Sequence, residues 1–286
     1  MATHPSIFIT DLDGTLLRND SSLSAFSKHG IEAMIEEGTL FTIATARSVT
    51  SSKGVLGDLN LSLPIICSNG AYISDLKSSE HRYINSHPKP ADEAVLELVL
   101  EKGFHPFLGT FDGKQDHLYL GEVANEGIAW YKADREKAKD RRLTTGVDVR
   151  IGLQEHVISL NVIDRKGPLE ELAAQIEELF PHTFCLYVYE NWYDESWFWL
   201  SIYHKNATKG AAITTLLDDL SLPEAYVTVF GDNLNDLSMF KMAHKGVAMG
   251  NARQEVIEVA SEIIATNEED SVVKYIAKVT NNTKLL

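Results

Sequence analysis

Two rhythms of apolar and polar positions alternate along the first eighty residues. Ile7-Phe8-Ile9-Thr10 is a short apolar run, the stretch near Ser24 to Glu37 repeats its apolar positions at helical spacing, and Leu40-Phe41-Thr42-Ile43-Ala44 is apolar again. Strands covered on both faces read as continuous apolar runs, so this succession predicts the βαβ rhythm of a parallel sheet. A further helix is predicted over Val49 to Asp58. A third buried strand is predicted over Pro64-Ile65-Ile66-Cys67, ending at Ser68-Asn69-Gly70. The same rhythm returns near the C-terminus, with helices over Ala207 to Leu220 and Asn235 to Ala243 and a strand over Tyr226 to Phe230. Gly246-Val247-Ala248 and Ile263-Ile264-Ala265 read as short strands.

Between these halves the pattern changes. Ala91 to Lys102 and Asn125 to Lys139 read as helices flanking a hairpin, Phe104 to Phe111 and Gln115 to Leu120, that turns at Asp112-Gly113. An alternating strand at His156 to Ile163, a helix from Pro168 to Phe180 and a strand pair at Phe184 to Tyr189 and Trp197 to Tyr203 follow. Hairpins interspersed with helices predict an α+β unit with an antiparallel sheet. Residues 84–203 therefore read as a second domain inserted into a first one made of residues 1–83 and 204–286.

A length of 286 residues agrees with two domains at about 150 residues each. With 26 basic and 41 acidic residues the chain carries a formal charge of -15, a field that repels a polyphosphate backbone, so nucleic acid is not an expected partner. A small anionic substrate then has to be drawn in by a local positive centre, a metal or a placed lysine. Cys67 and Cys185 lie far apart and form no C-x-x-C pair, which fits a reducing compartment. Residues Met1 to Ile9 show no basic segment followed by an apolar one, and no apolar run approaches membrane-spanning length. The expected location is the cytoplasm, with no membrane partner.

Asp11-Leu12-Asp13-Gly14-Thr15 follows directly on the first strand, where open α/β sheets place their ligands. Period two puts Asp11 and Asp13 on one side. Two like charges a few ångströms apart repel by about 4 kcal/mol at an effective dielectric near 20, so the pair invites a divalent cation or a shared proton. A simple Asp/Gly turn is the alternative. Gly231-Asp232-Asn233-Leu234-Asn235-Asp236 forms a second acidic cluster after the strand ending at Phe230, with Asp232 and Asp236 at i and i+4. Carboxylates, water and phosphate oxygens are the ligand set that Mg²⁺ prefers, and an Asp/Asn helix cap is the alternative.

Asp11-x-Asp-Gly-Thr, Thr45-Ala46-Arg47, Ser68-Asn69-Gly70-Ala71, Lys209-Gly210, Gly231-Asp232-x-x-Asn235-Asp236 and Gly250-Asn251-Ala252 occur in an order that resembles the haloacid dehalogenase superfamily, in particular its Cof-like subfamily. The resemblance implies an α/β fold with a Rossmann-like, doubly wound parallel core and an inserted α+β cap that selects substrate. It further implies that Asp11 attacks phosphorus as a nucleophile and forms an aspartyl-phosphate, while Asp13 serves as acid and then base. Mg²⁺ would be held by the Asp11 carboxylate, the Asp13 carbonyl and the Asp232 carboxylate, with Asp236 acting largely through water. The Thr45 hydroxyl, Lys209 ammonium, Asn235 amide and the backbone N–H groups of Leu12 and Ala46 would surround the phosphoryl oxygens. Ala46 departs from the usual Thr-Gly-Arg but keeps its N–H. Arg47 would reach the leaving group or the cap, or stay solvated. Asn69 would orient substrate or hold the turn before Gly70.

Tyr187, Tyr189, Trp192, Tyr193, Trp197 and Trp199 crowd one strand pair of the inserted segment; alternating aromatics of this kind pack against covering helices more often than they stack on substrate. No phosphate-binding P-loop, dinucleotide fingerprint or histidine metal spacing is present. The expected protein is a Mg²⁺-dependent phosphatase that acts on a small-molecule phosphate ester, such as a sugar phosphate or related metabolite. A phosphohexomutase of the same fold and a non-catalytic metabolite-binding module are the alternatives.

Overall fold

The computed structural model describes residues 5–191, 194 and 196–281. Ile7 and Ile9 are fully buried and Phe8 nearly so, which gives strand β1 (Ser6–Thr10) apolar cover on both faces. Ser24 caps helix α1 (Ala25–Glu36) by accepting from Ser27 N, and the chain returns as β2 (Leu40–Ile43), parallel to β1. Ser48 caps α2 (Val49–Leu56) in the same way, accepting from Ser51 N.

β3 (Ile65–Cys67) departs from its expected place as a full member of the parallel sheet. It touches that sheet through a single parallel bridge, Ala44 to Ile66, and its ladder is antiparallel with β4 (Tyr72–Ser74), which pairs in turn with β5 (His81–Ile84). Ser68, Asn69 and Gly70 all take positive φ, at 49°, 55° and 98°. These left-handed residues turn the chain straight back, so the hairpin partner outcompetes the sheet.

The chain next forms α3 (Ala91–Glu101), β6 (Phe107–Phe111), β7 (Asp116–Leu120), α4 (Glu126–Lys137), β8 (Leu143–Thr145), β9 (His156–Asp164), α5 (Lys166–Leu179), β10 (Phe184–Glu190) and β11 (Phe198–His204). Their sheet has the order β10-β11-β9-β6-β7-β8, antiparallel except for the β7–β8 pair. Residues Asn85–Asn206 form one compact unit, and the segments before and after them form the other. His204 still pairs with Phe184, which keeps residues 204–206 with the inserted unit. On one face of the inserted sheet Val95, Val99, Leu169 and Ile176 from α3 and α5 pack on Leu108, Leu160 and Leu200. Phe107 alternates to the opposite face, where Ile128 and Tyr131 of α4 meet Leu118, Leu120 and Ile163.

The aromatic crowd belongs largely to that packing. Trp199 stands edge-on to both Phe107 and Tyr131, with ring centroids 5.4 and 5.0 Å away, and stacks on Tyr189 at 6.1 Å. Trp192 and Tyr193 lie outside the described residues.

Back in the first unit the chain forms α6 (Lys209–Asp219), β12 (Tyr226–Gly231), α7 (Leu237–Met242), β13 (Lys245–Ala248), α8 (Gln254–Val259), β14 (Glu262–Ile263) and α9 (Ser271–Val279). The parallel sheet has the order β14-β13-β12-β1-β2. Its central strands β1 and β12, far apart in sequence, run side by side in the register Thr10 to Phe230. Ile7, Ile9, Val227 and Val229 share a core with Ala212, Ile213 and Leu216 of α6. Among the described residues no helix is long and apolar enough to cross a membrane.

Phe107, 2% exposed at the centre of the aromatic cluster, is the residue whose loss tests this packing. Phe107→Ala is expected to cost about 3–5 kcal/mol, read as a shift in the denaturant midpoint of the inserted unit. A loss below about 1 kcal/mol would contradict a tightly packed cluster.

Candidate functional site

The pairing of β1 with β12 decides where the acidic residues meet. Asp11 N donates to Phe230 O at 2.9 Å, so the ladder extends one residue beyond β1 and delivers Asp11 beside the end of β12. The segment Leu12–Leu16 then makes a tight turn in which Gly14 takes a φ of 76°, and Leu17 N closes it on Leu12 O at 2.8 Å. Leu12, Leu16 and Leu17 are buried and anchor the turn in the core. A Cβ on Gly14 would stand 2.5 Å from Asp232 Oδ2, so glycine is required both by the left-handed backbone and by the close approach.

Beyond β12, Asp236 folds back under Asp232. Its Oδ2 accepts the backbone N–H groups of Asp232 and Asn233 at 2.9 and 3.0 Å, and a Cβ on Gly231 would stand 2.6 Å from the same oxygen. Asn233 and Asp236 form a reciprocal capping box. The cap expected as an alternative to a metal cluster is therefore present, and it uses the same carboxylate. Thr15 Oγ1 donates to Asp232 Oδ1 at 2.9 Å and ties the two turns together. Thr15 stood in the sequence motif without an assigned role.

Lys209, the first residue of α6, is fully buried rather than on the surface. Its Nζ donates to Asp11 Oδ1 at 2.7 Å and to Asp236 Oδ1 at 2.6 Å. Burial opposes its charge, but the two carboxylates outweigh burial and hold its pKa above the usual lysine range. Arg47 is half-buried and paired: Nε and Nη2 fork onto Asp13 Oδ2 and Oδ1 at 2.7 and 2.6 Å, and Nη1 reaches Ser51 Oγ at 3.3 Å. Thr45, buried at the end of β2, accepts Arg47 N on its hydroxyl at 3.1 Å, and Ala46 is exposed beside it. Asn69, 2% exposed, donates its backbone N–H to Thr45 O at 3.0 Å and accepts Asn235 Nδ2 on Oδ1 at 2.9 Å. Asn69 thus fixes the turn and orients Asn235. The Leu12 amide lies in the turn after β1.

One oxygen each of Asp11, Asp232 and Asp236 lies within 4.8 Å of the others, and all three residues are buried. Counting Asp13, four carboxylates face two cations, Lys209 and Arg47, which leaves two negative charges over. Desolvation pushes the Asp11 carboxyl well above its usual value, against the pull of Lys209 and with the carboxylates of Asp236, Asp232 and Asp13 adding to it. Desolvation, followed by Asp236, raises Asp232 to about 7. An all-oxygen donor set with two uncompensated charges fits a hard divalent cation.

The sign of the Asp232 shift makes a testable statement about the metal-free protein. A carboxyl raised from 3.8 to about 7 contributes stability below its unfolded pKa and loses it as pH rises through 7. In chelator, the melting temperature of wild type is expected to fall relative to Asp232→Asn between about pH 4 and 8, and a saturating divalent cation should remove most of that fall. A difference independent of pH would contradict the burial of an uncompensated carboxylate.

Residues 8–276 match the family model described as haloacid dehalogenase-like hydrolase. The chain is 26% identical over 280 residues to the 5-amino-6-(5-phospho-D-ribitylamino)uracil phosphatase YitU of Bacillus subtilis (strain 168), covering 96% of this chain and 98% of that protein. It is also 26% identical over 275 residues to the pyridoxal phosphate phosphatase YbhA of Escherichia coli (strain K12), covering 94% and 97%. Among solved structures it is similar to TM0651 from Thermotoga maritima, with a TM-score of 0.74 and 25% identity over 96% of this chain and 97% of that one. The family match runs from β1 into α9, across both halves of the acidic site and the segment between them, and so the chain belongs to the haloacid dehalogenase-like hydrolase family, as a Cof-like phosphatase.

Proposed function

We propose that this phosphatase hydrolyses small phosphomonoesters, sugar phosphates or related metabolites, with Mg²⁺ and through an aspartyl-phosphate on Asp11. The observation that carries the reading is the buried Asp11, one of whose oxygens is held by Lys209 while Asp232 and Asp236 crowd it with surplus negative charge. Asp11, Asp232 and the Asp13 carbonyl would hold Mg²⁺, with Asp236 behind them. When bound, the ion would neutralise the surplus charge and polarise the phosphoryl group.

Asp11 then attacks phosphorus through the oxygen that Lys209 does not hold, forming a P–O bond as the bond to the leaving alcohol breaks. Asp13, which would enter this step having taken up a proton in place of one bond of the Arg47 fork, gives that proton to the alcohol. In the second step Asp13 takes a proton from water as the water oxygen attacks phosphorus, and cleavage of the bond to Asp11 releases phosphate and restores the carboxylate. Lys209, the Thr45 hydroxyl, the Asn235 amide and the backbone N–H groups of Leu12 and Ala46 take the charge on the phosphoryl oxygens.

The fork from Arg47 grips both Asp13 oxygens, so in this reading Arg47 positions the acid–base group instead of touching the leaving group. Residues Asn85–Asn206 would select the leaving group. The relatives named as phosphatases of 5-amino-6-(5-phospho-D-ribitylamino)uracil and of pyridoxal phosphate support small phosphate compounds as the substrate class. Cys67 and Cys185 are not joined in a disulfide, which agrees with a reducing cytoplasm as the place of action.

Purified protein with Mg²⁺, screened against a panel of phosphate esters, is expected to release inorganic phosphate. Asp11→Asn should abolish turnover, and Asp13→Asn should lower kcat by about 10² to 10⁴. Wild-type rates in either variant would remove the mechanism, and an isomerised sugar phosphate without free phosphate would replace hydrolysis with a mutase reaction.

A further inference from the structure

The loop after β13 reaches both acidic turns without supplying a carboxylate to either. Met249 N donates to Gly231 O at 3.2 Å and Arg253 N to Asp232 O at 2.9 Å, so two backbone bonds hold the turn after β12. Between them, Asn251 Nδ2 donates to Gly14 O at 2.8 Å in the turn after β1. Asn267 fixes which way the Asn251 amide points, because Asn267 N donates to Asn251 Oδ1 at 3.1 Å. With the oxygen so engaged, the nitrogen is the end that faces the Gly14 carbonyl. Asn267 is 3% exposed and sends its own Nδ2 to Leu17 O at 2.9 Å and to Asn19 Oδ1 at 3.0 Å.

We propose that Asn251, oriented by Asn267, is a positioning residue that holds the Asp11–Thr15 turn in its reactive shape. The proposal rests on the phosphatase reading given above. Glycine constrains its own backbone least, so a turn pivoting on Gly14 needs an outside hold at that peptide. Gly14 backs onto Asp232, and the next residue, Thr15, bonds the same carboxylate at 2.9 Å. Rotation of the Gly14 peptide would take Thr15 off Asp232 and swing Asp13, on the other side of the glycine, away from its place. A neutral amide suits the task where a carboxylate does not. An aspartate at position 251 would keep an acceptor for Asn267 N but set a second oxygen against the Gly14 carbonyl, and would add negative charge to a site that already has a surplus.

Asn251 is itself exposed while Gly14 is buried, so its truncation opens no cavity and the variant should fold. Asn251→Ala is expected to lower kcat about 10- to 100-fold with KM within about threefold, to leave the melting temperature within about 2 °C of wild type, and to speed amide hydrogen exchange over Leu12–Leu17 severalfold. Asn251→Asp should be no better. Exchange is read on the protein without substrate, which separates the two ideas: faster exchange in a variant of a wild type that hydrolyses nothing would uphold the brace and sink the phosphatase reading. Unchanged exchange over Leu12–Leu17, whatever the rate, or unchanged kcat in an active enzyme would overturn the proposal.

Discussion

Carboxylates at the ends of two hydrogen-bonded parallel strands are forced close together. Adjacent strands lie about 4.8 Å apart, so residues that continue them, Asp11 and Asp232, start within reach of a common partner, and the third oxygen, from Asp236, joins them inside 4.8 Å. Burial removes the water that would screen their repulsion. Most local features near the site answer this one problem. Lys209 brings a fully buried ammonium to two of the carboxylates, Thr15 gives a hydroxyl to the third, and two backbone N–H groups point at Asp236. These donors leave two charges uncovered, so among the described residues this buried cluster is where a cation or protons would offset like charges packed together, in a protein whose charge as a whole is -15.

The same constraint explains why a helix cap and a cation site are not competing descriptions of the second cluster. Asp236 spends one oxygen on the amides of Asp232 and Asn233 and turns the other toward Lys209. That division makes it a poor free ligand and a good holder of Asp232, whose backbone it fixes. Among the described residues Asp232 accepts the Thr15 hydroxyl on one oxygen. Two residues of one type, four positions apart, thus reach different tasks through the number of donors each already satisfies, and that number is a property of the turn rather than of the residue.

The acidic turns were legible because their sequence signal is local. An apolar strand followed at once by Asp-x-Asp-Gly-Thr fixes which end of the sheet the carboxylates occupy, and the βαβ rhythm fixes that the sheet is parallel. Beyond the expected convergence of Asp11, Lys209, Asp232 and Asp236, contacts made across the fold were not legible. The fork from Arg47 to Asp13 spans 34 residues and the Asn251 bond to Gly14 spans 237, and neither leaves a periodic trace. The β3–β4–β5 hairpin escaped because its signal, three consecutive left-handed residues at Ser68-Asn69-Gly70, reads in sequence as a loop. β8, at three residues, is too short to show a period, and α8 and α9 carried no motif to mark them, whereas β14 (Glu262–Ile263) overlaps the short strand expected over Ile263–Ala265.

In the inserted unit the same argument shows what aromatic content does not decide. Trp199, Tyr131 and Phe107 are taken up by one another, and the Tyr189 hydroxyl, pushed up to about 12 by burial, bonds Ser201 Oγ at 3.1 Å. Ser201 Oγ donates to Asn161 Oδ1 and Asn161 Nδ2 donates to Ser159 Oγ, so a polar chain crosses the neighbouring strands β10, β11 and β9 with its bonds made internally. Buried polar chains that satisfy themselves fix register, since a slip by one residue would carry every one of those groups to the opposite face, among Leu160, Val162 and Leu200. Recognition of a ligand draws instead on donors and acceptors left unspent by the fold. Around Asp11 the fold leaves negative charge unspent, whereas along the Tyr189–Ser159 chain it leaves little, and that contrast is a physical ground, independent of any motif, for proposing the chemistry in the parallel-sheet unit.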